Sequence, residues 1–244
     1  MNITAEEKLM YRVMEAIYSS GIPISFKGSM VLKACLLEAG YSDETRHTVD
    51  IDANWNSDTA PSVQQMADSL QKAINHCGIP LKVIAFRQYG EGRSAGFEIR
   101  DADSDEVLFT MDVDVNRPQP TTKLYEVDGI RFRGVAPIQM IADKVSVLST
   151  DKVFRRIKDV VDLYYISEVF SFDKTEVLQT LKSSGRKLDS FNGFLHRPED
   201  LRHSYEKFRF EGGVSKPPFE AVYNAVKTFI GDALPQERSR DMER

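Results

Sequence analysis

Two aspartates one residue apart, Asp50 and Asp52, are the residues of this chain whose spacing most directly suggests chemistry. They lie in Arg46-His47-Thr48-Val49-Asp50-Ile51-Asp52-Ala53-Asn54-Trp55, where Val49, Ile51 and Ala53 alternate with polar neighbours. That alternation has the period of a β-strand with one buried face, and it puts both carboxylates on the other face, about 7 Å apart. Two like charges so placed repel. A divalent cation relieves the conflict, because hard Mg²⁺ (or Mn²⁺) takes carboxylate oxygens and keeps water or phosphate in its other positions. A solvated strand face with two ordinary acids has the same pattern, so the pair gains meaning only from its surroundings. A second strand-like run, Phe109 to Val115, carries Asp112 and Asp114 on one face. Beside the first strand it would supply a third acid. Asp114 is the expected member because it lies nearer the strand end, where open α/β sites gather, and Asp112 is the alternative.

Upstream, Phe26-Lys27-Gly28-Ser29 stands at a strand-to-helix junction. Glycine lets backbone approach a ligand closely, the serine adds a hydroxyl and an amide, and the positive end of the following helix points at the same place. Together these make a phosphate cradle. Downstream, Lys144 and the pair Asp159 and Asp162 recur in helical segments. Taken alone, Lys144 is a solvated helix lysine, and Asp159 has Arg155 and Arg156 within pairing distance on its own helix. Arg46 either reaches a phosphate or covers the polar face of its strand. Cys35 and Cys77 lack the spacing of a zinc site, no Gly-x-Ser-x-Gly elbow supports serine catalysis, and Gly90-x-Gly92 reads as a hairpin turn.

The elements that must position these groups follow from periodicity. A helix over 4–20 is capped by Thr4, a short strand covers 22–26, and a buried helix starting near Met30 closes at Gly40. The acidic strand covers 46–55 and a helix covers 61–76. Strands cover 81–89, 94–100 and 106–116, and a weaker strand or hairpin covers 122–132. Helices follow over 137–148 and 152–170, and near 173–183, 198–209 and 217–232. Residues 1–134 are thus a mixed α/β domain, 135–234 a helical domain packed on it, and 235–244 a polar tail. Between 182 and 216, basic residues interleave with Phe191, Phe194, Tyr205, Phe208 and Phe210. Such a stretch can hold RNA, but rings at helical spacing more often face a core, and that reading is favoured.

Gly28-Ser29, Arg46-x-Thr48-x-Asp50-Ile51-Asp52, Ala142-Asp143-Lys144 and Arg156-x-Lys158-Asp159-x-x-Asp162-Leu163-Tyr164 together resemble the AbiEii/AbiGii toxin family. This is a branch of the polymerase-beta-like nucleotidyltransferases, and the resemblance runs from about residue 24 to 168. It implies an α+β nucleotidyltransferase fold with a mixed sheet, followed by a helical bundle. It implies Gly28, Ser29 and Lys144 as nucleotide contacts and Asp50 and Asp52 as Mg²⁺ ligands, to which the residue readings above add Arg46 as a candidate nucleotide contact and Asp114 as the expected third metal ligand. Lys144 would neutralise phosphate charge, and Asp159 would position Lys144 or act as a base, with Asp162 its rival. The implied reaction moves NMP from an NTP to an acceptor hydroxyl, with tRNA the expected acceptor and a cognate antitoxin the protein partner. The alternatives are transfer to a small molecule or a protein, and a non-catalytic nucleotide-binding regulator.

Composition bounds these readings. The chain has 244 residues, 41% of them hydrophobic, with 14 Phe, enough for a core and incompatible with global disorder. The net charge of −5 argues against a dedicated sequence-reading DNA binder, though it leaves room for a local basic groove. The sequence has no membrane-length apolar run, and the acids in MNITAEEKLMYRVMEA argue against a secretory signal. A reducing cytoplasm is therefore the expected compartment.

Overall fold

The alternating runs pair into a seven-stranded mixed sheet in the computed structural model, which describes residues 3–41, 45, 47–57, 59, 61–78, 80–89, 94–115, 119–210 and 215–235. The strands are β1 (Ile24–Lys27), β2 (Asp50–Trp55), β3 (Leu81–Tyr89), β4 (Ser94–Asp101), β5 (Val107–Asp114), β6 (Thr122–Val127) and β7 (Ile130–Val135). Their order across the sheet is β3-β4-β5-β2-β1-β7-β6. β2 lies parallel to β5 and antiparallel to β1, and β1 lies parallel to β7. The weak hairpin of the sequence is β6–β7. Its two-residue turn, Asp128-Gly129, has φ of 50° and 78°, the left-handed pair that matches strand twist.

The sequence predicts an acidic strand from residue 46, but pairing begins at Asp50, and Val49 is 63% exposed rather than part of the buried face. The buried face is Ile51, Ala53 and Trp55, matched on β5 by Phe109, Met111 and Val113. Helices α1 (Ala5–Ser19), α2 (Gly28–Glu38) and α3 (Val63–Ile74) belong to the same compact unit, which runs from the N-terminus to Met140. Thr4 closes a capping box on α1: its hydroxyl accepts from the Glu7 amide, and the Glu7 carboxylate accepts from the Thr4 amide. A ring cluster fixes the core, with Phe132 stacked against Tyr11 and Tyr125 and edge-on to Phe26.

A second compact unit covers Ile141–Arg209 and resumes at Ser215. α4 (Pro137–Leu148) leads into it, followed by α5 (Ile157–Ser167), α6 (Lys174–Ser183), α7 (Asn192–His196), α8 (Pro198–Lys207) and α9 (Phe219–Phe229). The helix expected over 152–170 is split, because a 3₁₀ turn at Val153–Arg156 precedes α5. The expectation had no counterpart for α7, which starts after Phe191 in a left-handed conformation. In the 182–216 stretch, Phe191, Phe194 and Tyr205 are buried and build the helical core, whereas Phe208 and Phe210 are half-buried. Two of the neighbouring cations are paired, Arg197 with Asp200 and Arg202 with Glu199 and Glu220.

Candidate active site

Local structure ends β1 at Lys27 and places Gly28 as the first residue of α2, two residues before the expected helix start near Met30. Gly28 has φ of +71°, a conformation open to glycine at little cost. Lys27, at the cap position, makes no side-chain cap. The start of α2 is thus not capped by the Lys27 side chain, and a helix N-terminus favours negative charge. A Cβ on Gly28 would stand 2.1 Å from Asp52 Oδ2, so the Asp52 carboxylate lies directly against the glycine backbone. Gly28→Ala is expected to lower folding stability by about 1–3 kcal/mol, through the left-handed backbone and the clash. By moving Asp52 it should also slow catalysis about a hundredfold. Thermal melts and transfer assays on the one variant test both.

Ser29 is buried, and its hydroxyl lies 2.5 Å from Thr48 Oγ1. The Thr48 hydroxyl also lies 2.7 Å from Asp50 Oδ1, the geometry of a donated hydrogen bond. Ser29, Thr48 and Asp50 therefore form one chain of polar contacts that ties the start of α2 to β2. Thr48 is part of the motif read from sequence, but its bridging position is set by the fold. Arg46 lies outside the described residues.

The register of β2 on β5 places the second pair of acids. Asp52 stands opposite Asp112, and Asp114 stands opposite Asn54. Asp114 is engaged elsewhere: Lys27 Nζ lies 2.5 Å from its Oδ2. Burial pushes the Asp114 carboxyl up, but the Lys27 charge and hydrogen bond, with a further hydrogen bond from Ser94, hold it below the usual carboxylate range. Asp112 accepts from Arg87, whose Nη2 lies 3.2 and 3.1 Å from its two oxygens. Lys27, Thr48 and Arg87 are thus members of this polar face to which the sequence reading gave no separate role.

Among the described residues no group of three or more His, Cys, Asp or Glu side chains converges as a metal cage. The donor set still suits Mg²⁺, which is commonly held by one or two carboxylates with water and substrate phosphates completing the shell. Asp50 and Asp52 share a face, and the Asp52 carboxylate lies against the first residue of α2.

The helical unit holds a separate cluster. Lys144 Nζ lies 2.6 Å from Asp162 and 3.2 Å from Asp159, and Arg156 Nε lies 2.8 Å from Asp159. Asp162 is 1% exposed and is the nearer partner. Burial pulls the Lys144 ammonium down, but the charges of Asp162 and then Asp159 outweigh it and raise it above its ordinary value. Both acids named from sequence hold the lysine, and the local Arg156–Asp159 pair forms as well.

A mixed sheet whose acidic strand faces the glycine–serine start of a helix has the fold of a nucleotidyltransferase. Among solved structures the chain is similar to MenT4, a nucleotidyltransferase toxin from Mycobacterium tuberculosis H37Rv, at 16% identity and a TM-score of 0.54, over 93% of this chain and 83% of that one. It is also similar to an antigenic nucleotidyltransferase-like protein from Paracoccidioides brasiliensis, at 15% identity and a TM-score of 0.50, over 90% and 96%. A search of curated protein sequences gave no match. The family profile described as nucleotidyl transferase AbiEii toxin, type IV toxin–antitoxin system, matches residues 9–225. The chain belongs to this family and is a nucleotidyltransferase. No described helix is long and apolar enough to cross a membrane.

Proposed function

We propose that the enzyme moves a nucleoside monophosphate from an NTP to an acceptor hydroxyl at the end of tRNA, and that it does so as the toxin partner of a cognate antitoxin. The contact of Asp52 with Gly28 carries the reading, because it joins the acidic strand to a helix start whose dipole and glycine backbone suit a triphosphate. In the reaction the acceptor oxygen bonds to the α-phosphorus, the bond from that phosphorus to the bridging oxygen breaks, and pyrophosphate leaves with the electron pair. The acceptor proton passes to solvent or to a carboxylate.

A divalent cation on Asp50 and Asp52 would supply charge neutralisation at the α-phosphoryl group and the leaving oxygen. The third acid is assigned to Asp112, which stands in register beside Asp52, whereas Asp114 stands two residues further along, beside Asn54. Gly28 and Ser29 hold phosphate oxygens through their amides, and the Ser29–Thr48–Asp50 chain fixes the distance from that cradle to the acids. Within the helical unit Lys144 is kept cationic by Asp162 and Asp159, the form that neutralising phosphate requires.

Incubation with each α-labelled NTP, Mg²⁺ and total tRNA tests the reading, with a chelator control. Label on tRNA with equal release of pyrophosphate is expected. Label confined to small molecules or proteins, or nucleotide binding without turnover, would overturn it. A small DNA-binding regulator in the adjoining reading frame would support the toxin role.

A further inference from the structure

Five strands each place one residue on a single line across the acidic face: Lys27 on β1, Asp52 on β2, Asp112 on β5, Gly96 on β4 and Arg87 on β3. The line runs from the cradle to the edge strand of the sheet. The Arg87 backbone stands two strands from Asp112, about 10 Å away, so its side chain must lie along the sheet to reach the carboxylate.

Two departures from regular β structure make this possible. β3 carries a bulge: Ala85 pairs with Phe97 and Arg87 pairs with Gly96, which leaves Phe86 without a partner. In an unbroken register Arg87 would face Ala95, which is fully buried, so the extra residue turns the guanidinium onto the acidic face. Gly96 then clears the path. A Cβ there would stand 2.7 Å from Arg87 Cγ, 2.8 Å from its Nε and 3.0 Å from Asp112 Oδ1. The guanidinium carbon also lies 4.7 Å from the centre of the Phe86 ring. Phe86 and Ile84 are exposed large apolar residues on this edge strand.

The cradle at Gly28 lies at one end of the line and this cation with its ring lies at the other. If the triphosphate occupies the first, the acceptor comes to the second. Resting on the nucleotidyl-transfer reading above, we infer that Arg87 and Phe86 form the acceptor side of the site and select a single-stranded nucleic-acid end. The guanidinium engages the phosphate nearest the attacking hydroxyl, exchanging Asp112 for it, and the Phe86 ring stacks on the terminal base. A neutral small-molecule acceptor would match neither feature.

Acceptor titrations with tRNA at saturating NTP, together with equilibrium NTP binding, compare the wild type with Arg87→Gln, Arg87→Lys and Phe86→Ala. Arg87→Gln is expected to raise the acceptor KM about tenfold to thirtyfold, and to flatten the slope of log KM against log salt by about 0.7, one phosphate contact. NTP affinity measured without divalent cation, which reads the cradle and not the Asp112 carboxylate that Arg87 touches, should stay within about twofold of wild type, since the cradle is four strands away on the line. Arg87→Lys should recover part of the KM, and Phe86→Ala should raise KM without changing the salt slope. An Arg87→Gln enzyme with wild-type KM and salt slope, or one that loses only kcat, would overturn this inference while leaving nucleotidyl transfer intact. A wild-type enzyme that labels no RNA would overturn the acceptor assignment and this inference together.

Discussion

Asp52→Asn is expected to reduce nucleotidyl transfer by about a thousandfold, roughly 4 kcal/mol of transition-state stabilisation. The substitution keeps the shape of the side chain, so its packing against Gly28 is retained and the fold should survive. What it removes is the negative charge at the centre of the acidic face, between Lys27 on one strand and Asp112 on the next. An amide oxygen holds a divalent ion far less firmly than a carboxylate and cannot offset its charge. Single-turnover assays with labelled NTP measure the loss, and thermal melts confirm the fold. A variant retaining a tenth or more of wild-type activity would remove Asp52 from the chemistry. Excess Mn²⁺ should recover part of the loss, because it tolerates a weaker oxygen donor where Mg²⁺ does not.

The reasons this residue was legible and others were not are physical. The shared face of Asp50 and Asp52 depends only on the two-residue period of a strand, a local property that any half-buried strand displays. The same period could not choose between Asp112 and Asp114, because both satisfy it. What separates them in the fold is the register of β5 on β2, which sets Asp112 beside Asp52 and Asp114 beside Asn54, and their different cations, Arg87 and Lys27, all fixed by residues far apart in sequence. Nor does alternation reveal a bulge. Ile84-Ala85-Phe86-Arg87 reads as an ordinary strand segment, and only pairing with β4 shows Phe86 stepping out of line and Arg87 crossing to the acids. Helix ends were readable where a cap carries them, as at Thr4, and less so where they depend on packing, as at the split before α5. The basic, ring-rich stretch over 182–216 was ambiguous for a related reason. Composition cannot tell a stacking platform from a core, and burial places Phe191, Phe194 and Tyr205 in the core while Phe208 and Phe210 stay half-buried.

Glu7 shows the same limit and leads to the second large effect. In sequence it completes a capping box in the first turn of α1, where acids are usually solvated. In the fold it is fully buried, and Lys33 of α2, itself 4% exposed, places Nζ 2.6 Å from Glu7 Oε2. The same Oε2 accepts from the Thr4 amide at 2.9 Å. Glu7 Oε1 accepts no hydrogen bond from the described residues, and His47 Nδ1 stands 3.5 Å from it. Two charges have therefore been taken out of water, and each depends on the other for compensation. Lys33→Met fills the volume but leaves Glu7 buried without its cation. The expected cost is about 3–5 kcal/mol, against a total stability of roughly 5–15 kcal/mol for a typical domain. Urea unfolding should show it as a lower midpoint with an unchanged slope. The double variant Glu7→Leu/Lys33→Met should regain most of the loss, since replacing both charges by apolar groups removes the uncompensated one. A single variant within about 1 kcal/mol of wild type would mean that water or another group already neutralises Glu7. The consequence extends to the proposed site, because Lys33 lies on the helix whose first residues, Gly28 and Ser29, are the proposed cradle. Tyr11 of α1 holds that helix too, through its hydroxyl to the Met30 carbonyl at 3.0 Å. Loosening α2 in Lys33→Met should therefore weaken NTP binding even where the protein remains folded, whereas the double variant should restore stability and nucleotide affinity together.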